Sequence, residues 1–228
     1  MDTSFEIWTK DISNRDEKQS VANKLVDFAN DGDVIGFGSG STSYLALLAL
    51  ATSEKNITAI PTSYEMEYLC QIHNIKVSNL DEATPTWCFD GADEVDPNGW
   101  MIKGRGGAMN REKQVMKACS GKRFILIDES KIVGQLGANF KVPLEVSPRK
   151  LFSVETALRN KGFKEFGLRQ AQAKDGPVIT ENGSIIIDLK MSDIHENSDN
   201  DLKEIDGIVE TGLFIGFNPT IVLPDTTL

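Results

Sequence analysis

Apolar residues along this chain recur with two alternating periods. In "EKQSVANKLVDFAN", Val21, Leu25, Val26 and Phe28 fall on one helical face that stops near Gly32. "DVIGF" then has the short apolar run of a buried strand, "GSGST" is a glycine turn, and "SYLALLALAT" predicts a second helix. The alternation continues with strand "NITAIPT", helix "SYEMEYLCQIHN" and strand "IKVSNL". Short strands follow in "TWCFDGADEVD" and "WMIKG", around a turn at "DPNG". "NREKQVMKACSG" predicts a helix closing on glycine, and "RFILID" a further buried strand. Strands and helices in this order predict an α/β unit: a Rossmann-like, mostly parallel sheet with helices on both faces.

Beyond Gly137 the order changes. "FKVPLEVSP" reads as a strand, "RKLFSVETALRNKG" as a helix, "FKEFGLRQ" as a strand and "GPVITENGSIIIDLK" as a hairpin turning at "ENG". "DNDLKEID" is a short helix and "GIVETGLFIG" a strand. This is the split βαβ pattern of a smaller, ferredoxin-like α+β domain. "TIVLPD" is a last strand able to return to the first sheet. The expected division is therefore a Rossmann-like catalytic domain at 1–136 and 218–228, and a small α+β domain at 137–217.

Length and composition support that division: 228 residues, 40% of them hydrophobic, suffice for two modest cores. A formal net charge of -10 argues against nucleic acid or anionic membrane as partner, because both demand clustered cations. An anionic substrate would need a local cationic or amide-lined pocket set against that field. Cys70, Cys88 and Cys119 lie far apart with no CxxC spacing, as expected of reduced, buried thiols. The acidic start "MDTSFEIWTKDISNRDEK" is unlike a signal peptide, and no apolar run approaches the roughly 20 residues of a membrane span. The expectation is a cytoplasmic protein.

Three motifs fall at the carboxyl ends of the strands, where such folds hold ligands. Gly36 to Thr42, "GFGSGST", leaves a strand and opens a helix, so that backbone N–H groups, Ser39, Ser41 and Thr42 can converge on an anion. It matches neither GxxxxGK[ST] nor a full GxGxxG, which favours a small phosphate over a nucleotide. Asp90 and Asp93, in "DGADEVD", set two carboxylates at the mouth of a buried strand, a costly arrangement without a cation or proton between them. The bland alternative is a turn cap, with Asp93, Glu94 and Asp96 solvated. In "WMIKGRGGAMNREK", Lys103 ends a strand, and the glycines after it allow close approach to the backbone. Glu112 sits in the first turn of the next helix, where the dipole favours a carboxylate; the bland alternative is ordinary charge placement at a helix start, with Arg111 and Lys113 as surface residues. An anion cradle, an acidic pair, a lysine and a helix-borne glutamate on one sheet edge suggest proton transfer on a small phosphorylated carbonyl compound. His73 and His195 lie away from these motifs, and no cluster has metal-ligand spacing.

GFGSGST, DGADEVD, MIKGRGGAMNREK and IDESK, in this order, resemble the signature segments of the ribose-5-phosphate isomerase A family, and the likeness runs to "GIVETGLF". The resemblance implies interconversion of D-ribose 5-phosphate and D-ribulose 5-phosphate in the non-oxidative pentose phosphate pathway, with no metal or cofactor, by a homodimer. It assigns Glu112 as proton acceptor and Asp90, Asp93 and Lys103 as the acidic pair and its lysine. Gly91 and Ala92, together with Lys103, Gly104, Arg105 and Gly106, form the substrate-contacting segments. Ser39, Gly40, Ser41 and Thr42 match the phosphate-side loop, with Lys131 and Lys18 as its basic partners. Arg105 departs from the pattern, since family members often carry glycine there; its side chain must point away from the sugar or toward the phosphate. Asn110 and Ser39 stand where threonine is frequent. Rival readings on the same scaffold are a sugar-phosphate sensor domain, an aminosugar-phosphate isomerase or deaminase, and an acyl-CoA transferase. The sensor would need a DNA-binding segment, the deaminase usually a histidine, and the transferase a glutamate nucleophile in another setting.

Overall fold

The computed structural model describes residues 11–226; the polar start "MDTSFEIWTK" and the last two residues lie outside that span, and with them the main support for the signal-peptide reading. Helix α1 (Arg15–Phe28) leads into β1 (Val34–Phe37), α2 (Ser41–Thr52), β2 (Thr58–Pro61), α3 (Tyr64–Ile72) and β3 (Lys76–Val77). Ser63 caps α3 by accepting a hydrogen bond from the Met66 N–H. β4 (Trp87–Asp90), β5 (Glu94–Val95), β6 (Met101–Ile102), α4 (Met109–Ala118) and β7 (Arg123–Leu126) follow. The second half runs β8 (Val142–Val146), α5 (Leu151–Asn160), β9 (Phe166–Leu168), β10 (Ile185–Leu189) and α6 (Ser198–Lys203). It ends with β11 (Ile208–Thr211), β12 (Leu213–Phe214) and β13 (Thr220–Val222).

Among the described residues, β13-β7-β4-β1-β2-β3 form the main sheet in that order, with every pairing parallel. The last strand returns beside β7, as "TIVLPD" predicts. Strand period assigns the faces. Ile35, Phe37, Ala59, Trp87, Phe89, Phe124 and Leu126 pack with α1, α2 and α3 in one core. The intervening Ile60, Cys88, Ile125 and Ile127 pack with Val115, Met116 and Cys119 of α4 and its end on the other face. Helices thus cover both faces. From β1 the chain winds outward through β2 and β3, and from β4 it winds the opposite way through β7 and β13. The switch point therefore lies between β1 and β4, the strands that carry GSGST and DGAD at their ends.

Strands β11-β8-β10-β9 form a second, wholly antiparallel sheet, covered by α5 and α6: the ferredoxin-like arrangement. Two local expectations change. The first arm of the "ENG" hairpin makes only isolated bridges, Gln170 to Pro177 and Ile179 to Ile185, so β10 is its single regular strand. "GIVETGLFIG" is two strands rather than one. β11 stays in the small sheet, whereas β12 pairs with β6 in a third sheet, β12-β6-β5. Gly212 makes the change of partner possible: its N–H donates to Pro143 O and its carbonyl accepts from Lys103 N. A Cβ there would lie 2.2 Å from Lys103 O and 2.5 Å from Pro143, so only glycine fits.

One buried carboxylate ties the two halves together. Glu94, expected to be solvated if the motif were a simple turn, is fully buried. It accepts backbone N–H groups from Gly137 at 2.6 Å and Phe140 at 2.8 Å, and from Asn139. The residues that lead into β8 of the second sheet are thereby fastened to the strand that follows DGAD. Glu94→Ala should lower stability by about 2–3 kcal/mol, since buried amides are left unpaired; a denaturant midpoint unchanged from the parent would refute this anchor.

Candidate active site

The site is built from three strand ends. β1 delivers Gly38, whose N–H donates to Phe89 O at 2.8 Å. A Cβ on Gly38 would sit 2.2 Å from the Asp90 Cγ, so the absent side chain is what admits the Asp90 carboxylate beside β1. Gly40, at φ +96°, turns the chain into α2, whose first-turn N–H groups lack intrahelical acceptors and face the loop. Ser41 Oγ lies 3.3 Å from Lys18 Nζ, Thr42 is buried, and Ser39 Oγ is turned to Thr62 Oγ1 at 2.7 Å.

β4 ends in Asp90, and the segment after β6 begins with Lys103. Its ammonium lies 2.9 Å from Asp90 Oδ2 and 3.1 Å from Glu112 Oε2, and donates to Gly91 O at 2.6 Å. Asp90, Lys103 and Glu112 are only 2%, 3% and 5% exposed. Glu112 Oε2, although at ion-pair distance, makes no aligned hydrogen bond and is buried. One cation thus serves two buried carboxylates. Burial pushes the Glu112 carboxyl up to about 8; the Asp90 charge adds to the rise and Lys103 opposes it. Burial likewise raises Asp90, with Lys103 pulling it back. For Lys103 burial opposes the charge, but Asp90 and Glu112 outweigh it and hold the ammonium above its ordinary value. The trio therefore keeps a protonated lysine and a glutamate poised near neutrality, as a carbon-acid base requires.

Asp93 stands apart from the trio. Its Oδ2 accepts the Arg105 N–H at 3.1 Å, and its Oδ1 is 4.0 Å from Arg105 Nε. The Arg105 side chain is 74% exposed and within electrostatic reach of Lys18. Lys18 is lowered by burial and by Lys131 and Arg105, with Asp128 partly offsetting them. Lys18, beside Ser41 at the start of α2, thus feels two further cations, Lys131 and Arg105. Lys131 also lies over the Phe140 ring, at 5.3 Å. Ala92, Gly104 and Gly106 complete the loops around the trio.

The expected residues thus sort into a buried ion cluster (Asp90, Lys103, Glu112), a loop bridge (Asp93, Arg105) and a group around the start of α2 (Ser41, Thr42, Lys18, Lys131). Ser39 is turned toward the β2–α3 turn. Others were not foreseen. Lys113, a surface residue on the bland alternative, is buried and pairs with Asp199 at 2.9 Å and Glu210 at 2.7 Å. The Arg111 guanidinium lies 4.3 Å over the Tyr64 ring, and Arg169 reaches the carbonyls of Gly104 and Arg105. No local pattern marks these residues, because their partners lie 47 to 97 positions away. Among the described residues, no group of three or more His, Cys, Asp or Glu side chains could hold a metal ion.

A doubly wound sheet with an anion cradle and a buried carboxylate–ammonium–carboxylate cluster at its switch point defines an acid–base site for a small phosphorylated compound. Sequence comparison makes the class definite. The family model described as ribose 5-phosphate isomerase A (phosphoriboisomerase A) matches residues 58–226. Ribose-5-phosphate isomerase A of Methanocaldococcus jannaschii is 38% identical, over 92% of this chain and 95% of its own. That of Methanothermobacter thermautotrophicus is 35% identical, over 90% and 92%. The solved M. jannaschii enzyme superposes with a TM-score of 0.85, over 89% of this chain and 92% of that one. A D-ribose-5-phosphate isomerase in complex with phospho-erythronic acid superposes at 0.86, with 34% identity, over 93% and 94%. The chain belongs to the ribose 5-phosphate isomerase A family.

Two outcomes test the site's physics. Gly38→Ala should displace Asp90 from Lys103 and cut turnover roughly 10–100-fold, with circular dichroism unchanged; parental turnover would show that the close approach is dispensable. Because the Glu112 carboxyl is raised from its ordinary 4.5 to about 8, the folded state binds the extra proton between those values, and stability falls as pH rises across that window. Glu112→Gln should therefore melt above the parent at pH 8, with the gap closing by pH 5; equal melting curves at both pH values would contradict the raised carboxyl.

Proposed function

We propose that this chain interconverts D-ribose 5-phosphate and D-ribulose 5-phosphate through an enediolate, with Glu112 as the base. The observation that carries the assignment is the Lys103 ammonium buried between Asp90 and Glu112. The substrate phosphate rests at the start of α2 among Ser41, Thr42, Lys18 and Lys131, with Arg105 closing over it. Asp90 and Asp93 share the opening of the furanose ring and the transfer of the hydroxyl proton from O2 to O1. Glu112 removes the proton from C2. The electron pair left behind makes the C1–C2 double bond as the C1 carbonyl becomes an oxyanion, which Lys103 and the loop amides stabilise. As the O2 proton moves to O1, C2 becomes the carbonyl carbon and the Glu112 proton is delivered to C1, restoring the base.

The same reading divides the chain into a catalytic unit, 1–136 with 218–228, and a buttressing unit, 137–217. It makes the protein a cytoplasmic homodimer whose chain supplies every group the reaction needs. Conversion of ribose 5-phosphate should accordingly persist in EDTA at the untreated rate.

Glu112→Gln should fold and lose roughly 10²–10⁴-fold in kcat, the range for a general base; near-parental turnover would remove the assignment. In the parent, kcat/KM should climb with pH and level off above about 8, as Glu112 loses its proton; a profile flat from pH 6 to 9 would point to another base. Lys103→Met should depress kcat far more than it raises KM, because the oxyanion forms on the way to the transition state.

A further inference from the structure

The loop from Lys103 to Gly107 is gripped from the far side by a residue of the small unit. Arg169 follows β9, and its backbone is fixed by its N–H to Ile186 O and its carbonyl to the Val178 N–H. Its Nε donates to Asp188 Oδ2 at 2.9 Å and its Nη2 to Asp188 Oδ1, a bidentate pair that orients the guanidinium. The remaining nitrogen, Nη1, donates to Gly104 O at 2.9 Å and to Arg105 O at 2.8 Å.

Peptide geometry turns this grip into a statement about the reaction centre. The described peptides are all trans, so the carbonyl and the N–H of one unit point in opposite directions. Holding Gly104 O toward the small unit aims the Arg105 N–H the other way, where it meets Asp93 Oδ2. Holding Arg105 O aims the Gly106 N–H the same way. That N–H has no acceptor among the described residues, and a Cβ on Gly106 would meet nothing within 4 Å. We propose that Arg169, oriented by Asp188, is a positioning residue that turns these two peptide units so that the Gly106 N–H meets the developing oxyanion and the Arg105 N–H holds Asp93 in place. It touches neither the sugar nor the phosphate. The proposal rests on the reading of Lys103 and Glu112 given above.

The test uses Arg169→Met and Arg169→Lys in the full chain. Lysine keeps the charge opposite Asp188 but has no fork to span a carboxylate and two carbonyls. In Arg169→Met, kcat should fall roughly 10–100-fold, below the loss from deleting an oxyanion donor outright, with KM within about threefold. Inhibition by phospho-erythronic acid should weaken in step with kcat, and inhibition by inorganic phosphate should hold within twofold. Arg169→Lys should show the same split with a smaller loss. The proposal is overturned if either folded variant keeps kcat within twofold of the parent, if the loss appears in KM alone, or if both inhibitors weaken together. Should Arg169→Met not fold, Arg169→Lys decides on the same readouts. Inactive Glu112→Gln beside fully active Arg169 variants would refute this proposal alone, whereas active Glu112→Gln would refute the site reading beneath it.

Discussion

One buried ammonium sets the terms for the rest of this molecule. Two carboxylates and a lysine removed from water are unfavourable one by one, and become tolerable only when the cation lies within hydrogen-bond distance of both anions. Lys103 meets that condition with Asp90 and Glu112. Because the count is one cation to two carboxylates, the balance leaves a surplus negative charge, and the cheapest relief is a proton on Glu112. The raised glutamate is thus a consequence of charge counting in a dry place, and the same imbalance weakens the fold as pH rises from about 4.5 to about 8.

Holding those three groups together constrains chain far from them. Asp90 fits beside β1 only because residue 38 has no side chain, and Lys103 is steadied by the carbonyl of Gly212, where the chain leaves one sheet for another. The small unit reaches the site's rim at several places. Arg169 holds the loop carbonyls, Glu181 accepts the Tyr64 N–H and lies 3.9 Å from Arg111, and Asp199 and Glu210 receive Lys113 next to the base. Glu112 and Lys113 are neighbours on α4, one paired with Lys103 and the other with Asp199 and Glu210. Those ion pairs fasten α4 where it carries Glu112.

Much of the fold was legible because period and punctuation agree. The apolar runs of β1, β2, β4 and β7, separated by helices with capping residues and glycines, leave a parallel sheet as the economical reading. The split of "GIVETGLFIG" was not legible: its seven residues other than glycine read as one strand, and the break falls where the Lys103 carbonyl and the Pro143 ring leave room only for Gly212. The burial of Glu94 and Lys113 was not legible for a related reason. A charged residue is solvated by default, and nothing local announces that three amides or two carboxylates await it.

The sequence by itself determined which chemistry was present. Glycines at the turns, carboxylates after one strand, a lysine after another and a glutamate in a first helical turn are local features, and local propensities place each at a strand end. Only the tertiary structure decided how they act: which aspartate meets the lysine, which cations gather around Lys18, and how far burial lifts Glu112. Those outcomes depend on distances of a few ångströms between segments far apart in the chain, and on the exclusion of water from between them. Electrostatic energy in a low-dielectric site is set by that separation and that exclusion, and neither is written in any short stretch of residues.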